Sequence, residues 1–324
     1  MSSEGAGTVR VFLNPGATYG RGRERWARVE RELERRLGAL AVEEIEAGKL
    51  RVRLAELVES GERRFVAAGG DGTVNLLVNA IMELPEDDSS GAVPSESDRV
   101  ILGAVGLGSS NDFHKPYGES DTVDGMPVHV DFEHWIDRDV IRAEYEPPDG
   151  GTVTRHAAIN ASVGVTAEAN ARFNDPGAFI RAARRLSVDA AITAAVLTTL
   201  HRWVDITCAF SVDGGEAEMA SITSLSVFKN AHFGGDLCYD TPVSPDDGVL
   251  GIALCEGMSA FEVIATVAAL RKDRFEGRPK TRTWHAGSLS IQGDRTFALE
   301  TDGEVVWARS ARFSVAPRQV RCCG

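Results

Sequence analysis

The stretch "FVAAGGDGTVNLLVN", residues 65–79, sets three glycines and an aspartate between a short apolar run and a run with helical spacing. These glycines supply no side chain to a core and cost backbone entropy, so the junction must need positive φ or the close approach of another group. Thr73 can cap a helix over 73–84, in which Val74, Leu77, Val78 and Ile81 recur every three or four residues. A strand, a glycine turn and a helix start aim unpaired N–H groups and the positive end of the helix dipole into the turn, which suits an anion, phosphate above all. Asp71 would repel bare phosphate. Its place implies a bridging cation, a hydroxyl-bearing substrate or a satisfied turn carboxylate.

Outward from this junction the chain alternates strand and helix signals. "VRVFLNP" (9–15) and "LAVEEIEA" (40–47) read as strands, while 23–40 and "LRVRLAELVESG" (50–61) carry helical spacing, with Gly61 as a stop. A polar loop over 85–98 precedes a further strand, "RVILGAV" (99–105). Such βαβα order predicts a parallel sheet covered by helices. After about residue 128 the pattern changes to longer strands and hairpin turns. "DVIRAEYE" and "TVTRHAAIN" flank "PPDGG", "VDITCAFSV" and "ASITSLSVFKN" flank "DGGE", and helices interrupt near 178–201 and 259–272. The expected organisation is an α/β nucleotide-binding domain over 1–128 and a β-rich domain over 129–324. Whether the last residues pack back on the first domain is left open.

Composition narrows the partners. With 43% hydrophobic and 26% charged residues, 324 residues suit a globular chain of two domains. A net charge of -13 argues against nucleic acid and against long-range attraction to an anionic membrane, so any peripheral membrane contact must use a local patch. "MSSEGAGTVR" lacks the features of a signal peptide, and the apolar "AAITAAVLTTL" (190–200) is too short to span a bilayer; the reading is cytoplasmic. Five cysteines without a C-x-x-C pair read as reduced thiols, and seven scattered histidines as surface or ordinarily bonded residues.

Three further segments bear on the first. "NPGATYGRG" (14–22) and "GLGSSNDF" (106–113) each follow a strand and combine glycines with polar side chains. Loops beyond the carboxyl ends of strands in an open α/β sheet converge on one crevice, so three such loops are read together. "ETDGEVV" (300–306) is a carboxylate-rich turn, also explicable as a plain Asp-Gly hairpin.

Taken in order, these segments resemble the diacylglycerol kinase catalytic-domain family, which includes bacterial lipid kinases and sphingosine kinases. The likeness runs over nearly the whole chain, with "NASVGVTAEA" (160–169), "NAHFGGD" (230–236), "SPDDGVL" (244–250) and "DGE" (302–304) following the N-terminal loops. It implies a fold like that of NAD kinases and diacylglycerol kinases, with a β-rich C-terminal sandwich, and transfer of the ATP γ-phosphate, with magnesium, to a lipid hydroxyl in an interdomain cleft. Asn14, Gly69, Gly70, Gly72, Thr73, Ser109 and Asn111 match nucleotide-binding positions. Glu304 matches the general base, Asp71 lies beside phosphate and metal or takes the base role itself, and Asp112 and Asp247 are candidates for magnesium, Asp247 at a structural ion. Leu76 and Gly251 stand where the family commonly has carboxylates. Arg181, Arg184 and Arg185, or the segment 271–282, could meet lipid headgroups; a homo-oligomer is left open. An NAD kinase-like phosphotransferase and a nucleotide- or lipid-binding pseudokinase are the alternatives. A Rossmann or P-loop enzyme is excluded by the missing glycine fingerprints.

Overall fold

The computed structural model describes residues 8–46, 48–85, 99–117, 121–175, 177–184, 188–201, 203–317 and 319–324. It divides into two compact units, one of residues 1–140 with 317–324 and one of residues 141–316. The polar loop expected over 85–98 lies, from residue 86 on, outside the described residues.

The first unit is built on β1 (Val9–Leu13), β2 (Leu40–Glu44), β3 (Arg64–Gly69) and β4 (Ile101–Gly106), which run parallel in the order β2-β1-β3-β4. The near-continuous apolar character of β1, β3 and β4 follows from burial on both faces, while the edge strand β2 is partly exposed. The helices α2 (Gly22–Leu37), α3 (Leu50–Glu59) and α4 (Asp71–Met82) connect them. On α2, Trp26, Val29 and Leu33 pack at helical spacing onto Val9, Val11, Val66 and Val105 of the sheet, while the opposite face carries the charges. Beyond β4, β5 (Asp121–Val123) and β6 (Met126–His129) form a hairpin whose second strand runs antiparallel to the end of β4. The start of β4 pairs with a strand from the chain terminus, Val320–Cys323, which in turn pairs with β7 (Trp135–Arg138). That pairing sets residues 129–140 with the α/β unit, twelve residues past the change of rhythm near 128.

The second unit is an antiparallel sheet around one apolar core. Its strands include β8 (Ile141–Glu146), β9 (Val153–Ala157), β10 (Asn160–Gly164), β11 (Ile206–Val212) and β12 (Glu218–Phe228). After the small hairpin of β13 (His232–Phe233) and β14 (Leu237–Cys238) come β15 (Leu250–Glu256), β16 (Thr281–Ala286), β17 (Ser288–Thr301) and β18 (Glu304–Val315). The segments "SLSIQG" (288–293) and "TFALE" (296–300) lie on one long strand, β17, whose register against β18 shifts between Gln292 and Phe297. Bulges of this kind bend the ladder, so β17 pairs with β11 along its first part and with β10 along its last. Helices α5 (Val165–Asn174), α6 (Ala178–Arg184), α7 (Val188–Leu200) and α8 (Ala260–Leu270) interrupt the strands. The helix α5 was not anticipated: its buried residues Val165, Ala167 and Ala169 alternate as a strand would, and only the turn at Gly164, φ 95°, ends β10 there. No helix among the described residues is long and apolar enough to cross a membrane.

Candidate functional site

In the first unit the three glycine loops leave adjacent strands at the same end of the sheet. Leu13 is level with Ala68, and Gly69 with Gly106. Two ladder bonds continue past the strands, from Asn14 N to Ala68 O (2.9 Å) and from Leu107 N to Gly69 O (2.7 Å). Side chains then tie loop to loop. Asn14 Nδ2 donates to Thr73 Oγ1 (2.9 Å), and its Oδ1 accepts from Gly16 N (2.9 Å). Thr18 Oγ1 donates to Leu107 O (2.6 Å). Asp71 Oδ1 accepts from Phe113 N (2.9 Å), joining the second loop to the third.

Two of the glycines answer for this closeness. A Cβ on Gly108 would stand 2.6 Å from the Cα of Gly70, and one on Gly69 would stand 2.1 Å from Thr73 Oγ1. The loops approach backbone to backbone, which no side chain at 108 would permit. Gly72 is different: nothing lies within 4 Å of where its Cβ would be, so the protein itself does not require a glycine there.

Thr73 is not the helix cap. The helix α4 starts at Asp71 with Gly70, which has no side chain to cap it, at the N-cap; Thr73 is the third helical residue, and its hydroxyl accepts from Asn14. The start of α4 therefore leaves a positive dipole end beside the three loops. α1 (Ala17–Gly20) is a single turn in which Thr18 and Tyr19 take left-handed angles, φ 49° and 58°. Asn111 is also left-handed, φ 50°, as its short amide allows. Its side chain accepts from Gly108 N (3.0 Å) and donates to Gly108 O (3.1 Å), shaping the loop that carries Ser109. Gly106 sits against the Pro127 ring, which would stand 2.6 Å from a Cβ placed there.

The proposed metal carboxylates separate. Asp71 and Asp112 belong to joined loops, with Asp112 ion-paired to Lys115. Asp247 lies in the second unit and accepts from the Lys229 ammonium at 2.6 Å, as well as from Ser244 N and Val249 N at 3.1 Å each. Lys229 is 1% exposed, and its Nζ also donates to Val249 O (2.8 Å). Against the cost of burial, that ammonium holds the Asp247 carboxyl below its usual range. Gly251, where a carboxylate is common, has no room for one: a Cβ would meet the Phe228 ring at 2.5 Å and Val243 at 2.6 Å. Packing accounts for that departure.

The turn bearing Glu304 is a hairpin after all, with Asp302 and Gly303 both at positive φ between β17 and β18. It is held unusually firmly. The Asp302 carboxylate is buried and accepts from three backbone amides, Ala158 (2.7 Å), Ile159 (3.0 Å) and Asn160 (2.8 Å). Gly303 N donates to Glu300 Oε1 (2.5 Å), Ser162 Oγ donates to Glu300 Oε2 (2.6 Å), and Asn174 Nδ2 donates to Gly303 O (2.8 Å). Glu304 itself is exposed at the start of β18. Neither the triple acceptor at Asp302 nor the burial of Glu300 has a signal in the sequence, since the amides of 158–160 and the Ser162 hydroxyl lie more than a hundred residues away. Asp302→Ala removes one acceptor from three buried donors and should lower stability by about 2 kcal/mol in urea unfolding; an unchanged midpoint would show that water replaces the carboxylate.

Glu300 gives a pH signature. Burial pushes its carboxyl up to about 7, against the hydrogen bonds from Ser162 and Gly303. The folded chain thus keeps a proton that the unfolded chain releases above about 4.5. Stability from this residue is full below pH 4.5 and falls as pH rises toward 7. The urea midpoint should decline over that window and flatten in Glu300→Gln; equal slopes in the two proteins would remove Glu300 as the cause.

Two histidines, expected to be scattered, meet in the first unit. The rings of His114 and His129 lie 4.9 Å apart, and the Arg138 guanidinium stacks 4.4 Å over Phe113. Burial, with His129 and Arg138 beside it, pushes His114 down to about 3. It stays neutral at any ordinary pH and packs behind the "NDF" loop as a core side chain.

Residues 8–141 match the diacylglycerol kinase catalytic domain, and residues 160–324 match the YegS C-terminal NAD kinase beta sandwich-like domain. The chain belongs to the diacylglycerol kinase catalytic-domain family. A protein named "Probable lipid kinase YegS-like" from Shewanella frigidimarina is 24% identical over 280 residues, 83% of this chain and 78% of its own length. One of the same name from Chromohalobacter salexigens is 44% identical over 63 residues, 19% of this chain and 17% of its own. The crystal structure of a diacylglycerol kinase from Bacillus anthracis covers 99% of this chain and 98% of its own, with TM-score 0.68 at 16% identity, so the fold is shared. As a member of the diacylglycerol kinase family the chain is a phosphotransferase of the lipid-kinase type, with ATP as the substrate that family membership implies.

Proposed function

We propose that the chain transfers the γ-phosphate of ATP to the hydroxyl of a lipid alcohol, diacylglycerol or a close relative, with Glu304 as general base. The observation that carries this reading is the start of α4: an uncapped helix N-terminus, with open space over Gly72, beside two further loops tied to it through Asn14, Thr18 and Asp71. Asn14, Gly69, Gly70, Gly72, Thr73, Ser109 and Asn111 shape that cradle for the triphosphate. The acceptor oxygen bonds to the γ-phosphorus, the bond to the β-phosphate oxygen breaks, ADP leaves and the hydroxyl proton goes to Glu304.

Magnesium fits the same unit by donor chemistry. Asp71 and Asp112 offer hard oxygens on joined loops, and this ion is usually held by one or two carboxylates together with phosphate oxygens. No cluster of three or more His, Cys, Asp or Glu occurs among the described residues, so an all-protein cage has no support. When bound, the ion supplies charge to offset that of the phosphates. Asp247 is better read as the counter-ion of Lys229.

The test is transfer of labelled γ-phosphate from ATP, with magnesium, to a panel of lipid alcohols and NAD. Labelled lipid supports the reading and names the acceptor. Labelled NAD selects a dinucleotide kinase, and bound ATP without any labelled product selects a binding protein.

A further inference from the structure

We propose that the outward face of α8, with the basic segment after it, is a docking surface for an anionic lipid bilayer. The proposal deepens the lipid-kinase reading, because an acceptor carried in a bilayer must be reached at its surface.

α8 is fixed to its unit by its inner face. Val263 and Leu270 pack into an apolar cluster with Phe233, Tyr239 and Phe275, and Thr266 and Ala269 are buried beside them. The helix start is rigid: Ser259 Oγ accepts from Glu262 N, Glu262 Oε2 accepts from Ser259 N (2.7 Å), and Lys280 Nζ donates to the same carboxylate (2.8 Å). On the other side, Phe261, Ile264 and Ala268 form one stripe at three- and four-residue spacing. Phe261 is 80% exposed, the most of any large hydrophobic side chain among the described residues, and Ile264 is 44% exposed. Single exposed apolar residues are ordinary, but two in register at the first turns of a capped helix make a short wedge.

The charge after the wedge decides the occupant. Of the six basic residues in 271–282, Lys280 is held by Glu262, and Arg282 by Glu218 and Glu256. Arg271, Lys272 and Arg274 are exposed, and among the described residues none has a carboxylate within ion-pair distance. Arg271 and Lys272 continue the helix turn, so they follow the apolar stripe directly. Asp273 and Glu276 are the acidic residues of the segment, and Asp240 is turned onto the amides of Phe275 and Glu276, which fixes its path. On a chain of net charge -13, an apolar stripe with three cations outside any ion pair at one end, against the two carboxylates Asp273 and Glu276, is complementary to headgroups over an acyl region. The net repulsion is screened beyond about 8 Å at physiological salt, so the local cations govern contact.

The experiment is co-sedimentation of the whole chain with vesicles, without nucleotide. Vesicles of phosphatidylcholine with phosphatidylglycerol should bind the protein, and phosphatidylcholine alone should not. Phe261→Ser with Ile264→Ser, and separately Arg271→Glu with Lys272→Glu, should each lower the partition at least about tenfold, given a few-fold effect per basic residue. Both variants alter exposed side chains, so their thermal unfolding should match the parent. Wild-type indifference to phosphatidylglycerol, or variants that bind as the parent does, would overturn the proposal. So would a dimer that the Phe261→Ser, Ile264→Ser variant breaks, since the face would then join two copies. Vesicle binding through α8 with no labelled lipid counts against the kinase reading alone. Labelling of detergent-dispersed lipid without binding through α8 counts against this proposal alone.

Discussion

Glu304→Gln should fold as the parent chain does and turn over at least about a hundredfold more slowly, with ATP affinity little changed. The carboxylate is exposed, so the amide costs the fold nothing evident. The turn before it is held by hydrogen bonds to the Asp302 and Glu300 carboxylates, none of which involves the Glu304 side chain. What the amide loses is the capacity to take a proton. Asp71→Asn is the contrasting variant: it keeps an acceptor for Phe113 N but loses charge beside the phosphate cradle. It should raise the magnesium concentration needed for half-maximal rate, whereas Glu304→Gln should not. Single-turnover rates with saturating ATP separate the two. A Glu304→Gln enzyme within a few-fold of the parent would remove Glu304 as base, and a rate lost only in Asp71→Asn would move that role to Asp71.

Gly108→Ala should weaken ATP binding about a hundredfold while leaving the second unit's stability untouched. The added methyl would stand 2.6 Å from the Cα of Gly70 and 2.9 Å from Asn111 Oδ1, and backbone cannot step aside as a flexible side chain can. Overpacking of this kind costs about 1–3 kcal/mol, here taken up by parting the loops that form the cradle. Gly72→Ala is the matched control for the protein alone, since open space surrounds it. If the cradle holds phosphate, Gly72→Ala should also weaken ATP while leaving the urea midpoint of the free protein within about 0.5 kcal/mol. Calorimetric titration with ATP measures both. Native affinity in Gly108→Ala would mean that the loops do not act as one site.

The alternation of strand and helix, the three strand-loop junctions and the hairpin at 302–303 were legible because each is local. Val74, Leu77, Val78 and Ile81 announce α4 by spacing, and glycine runs announce turns by backbone freedom. The same locality set the limits. Thr73 reads as a cap in its own neighbourhood, yet its hydroxyl is bonded by Asn14, fifty-nine residues earlier. α5 hid because small buried residues carry little periodicity, and its boundary depends on one left-handed glycine.

The sequence by itself determined the order of elements, the two kinds of domain, the glycine loops and the carboxylates available for chemistry, since these follow from short-range spacing and side-chain type. Tertiary structure alone decided how each carboxylate is engaged. Asp302 accepts from the amides of 158–160, Asp247 neutralises Lys229, Glu300 is buried under its own turn, and Glu304 is left exposed. These four acidic residues look alike in a string of letters. Burial raises the Glu300 carboxyl and the Lys229 ammonium lowers that of Asp247, and only folding supplies either surrounding.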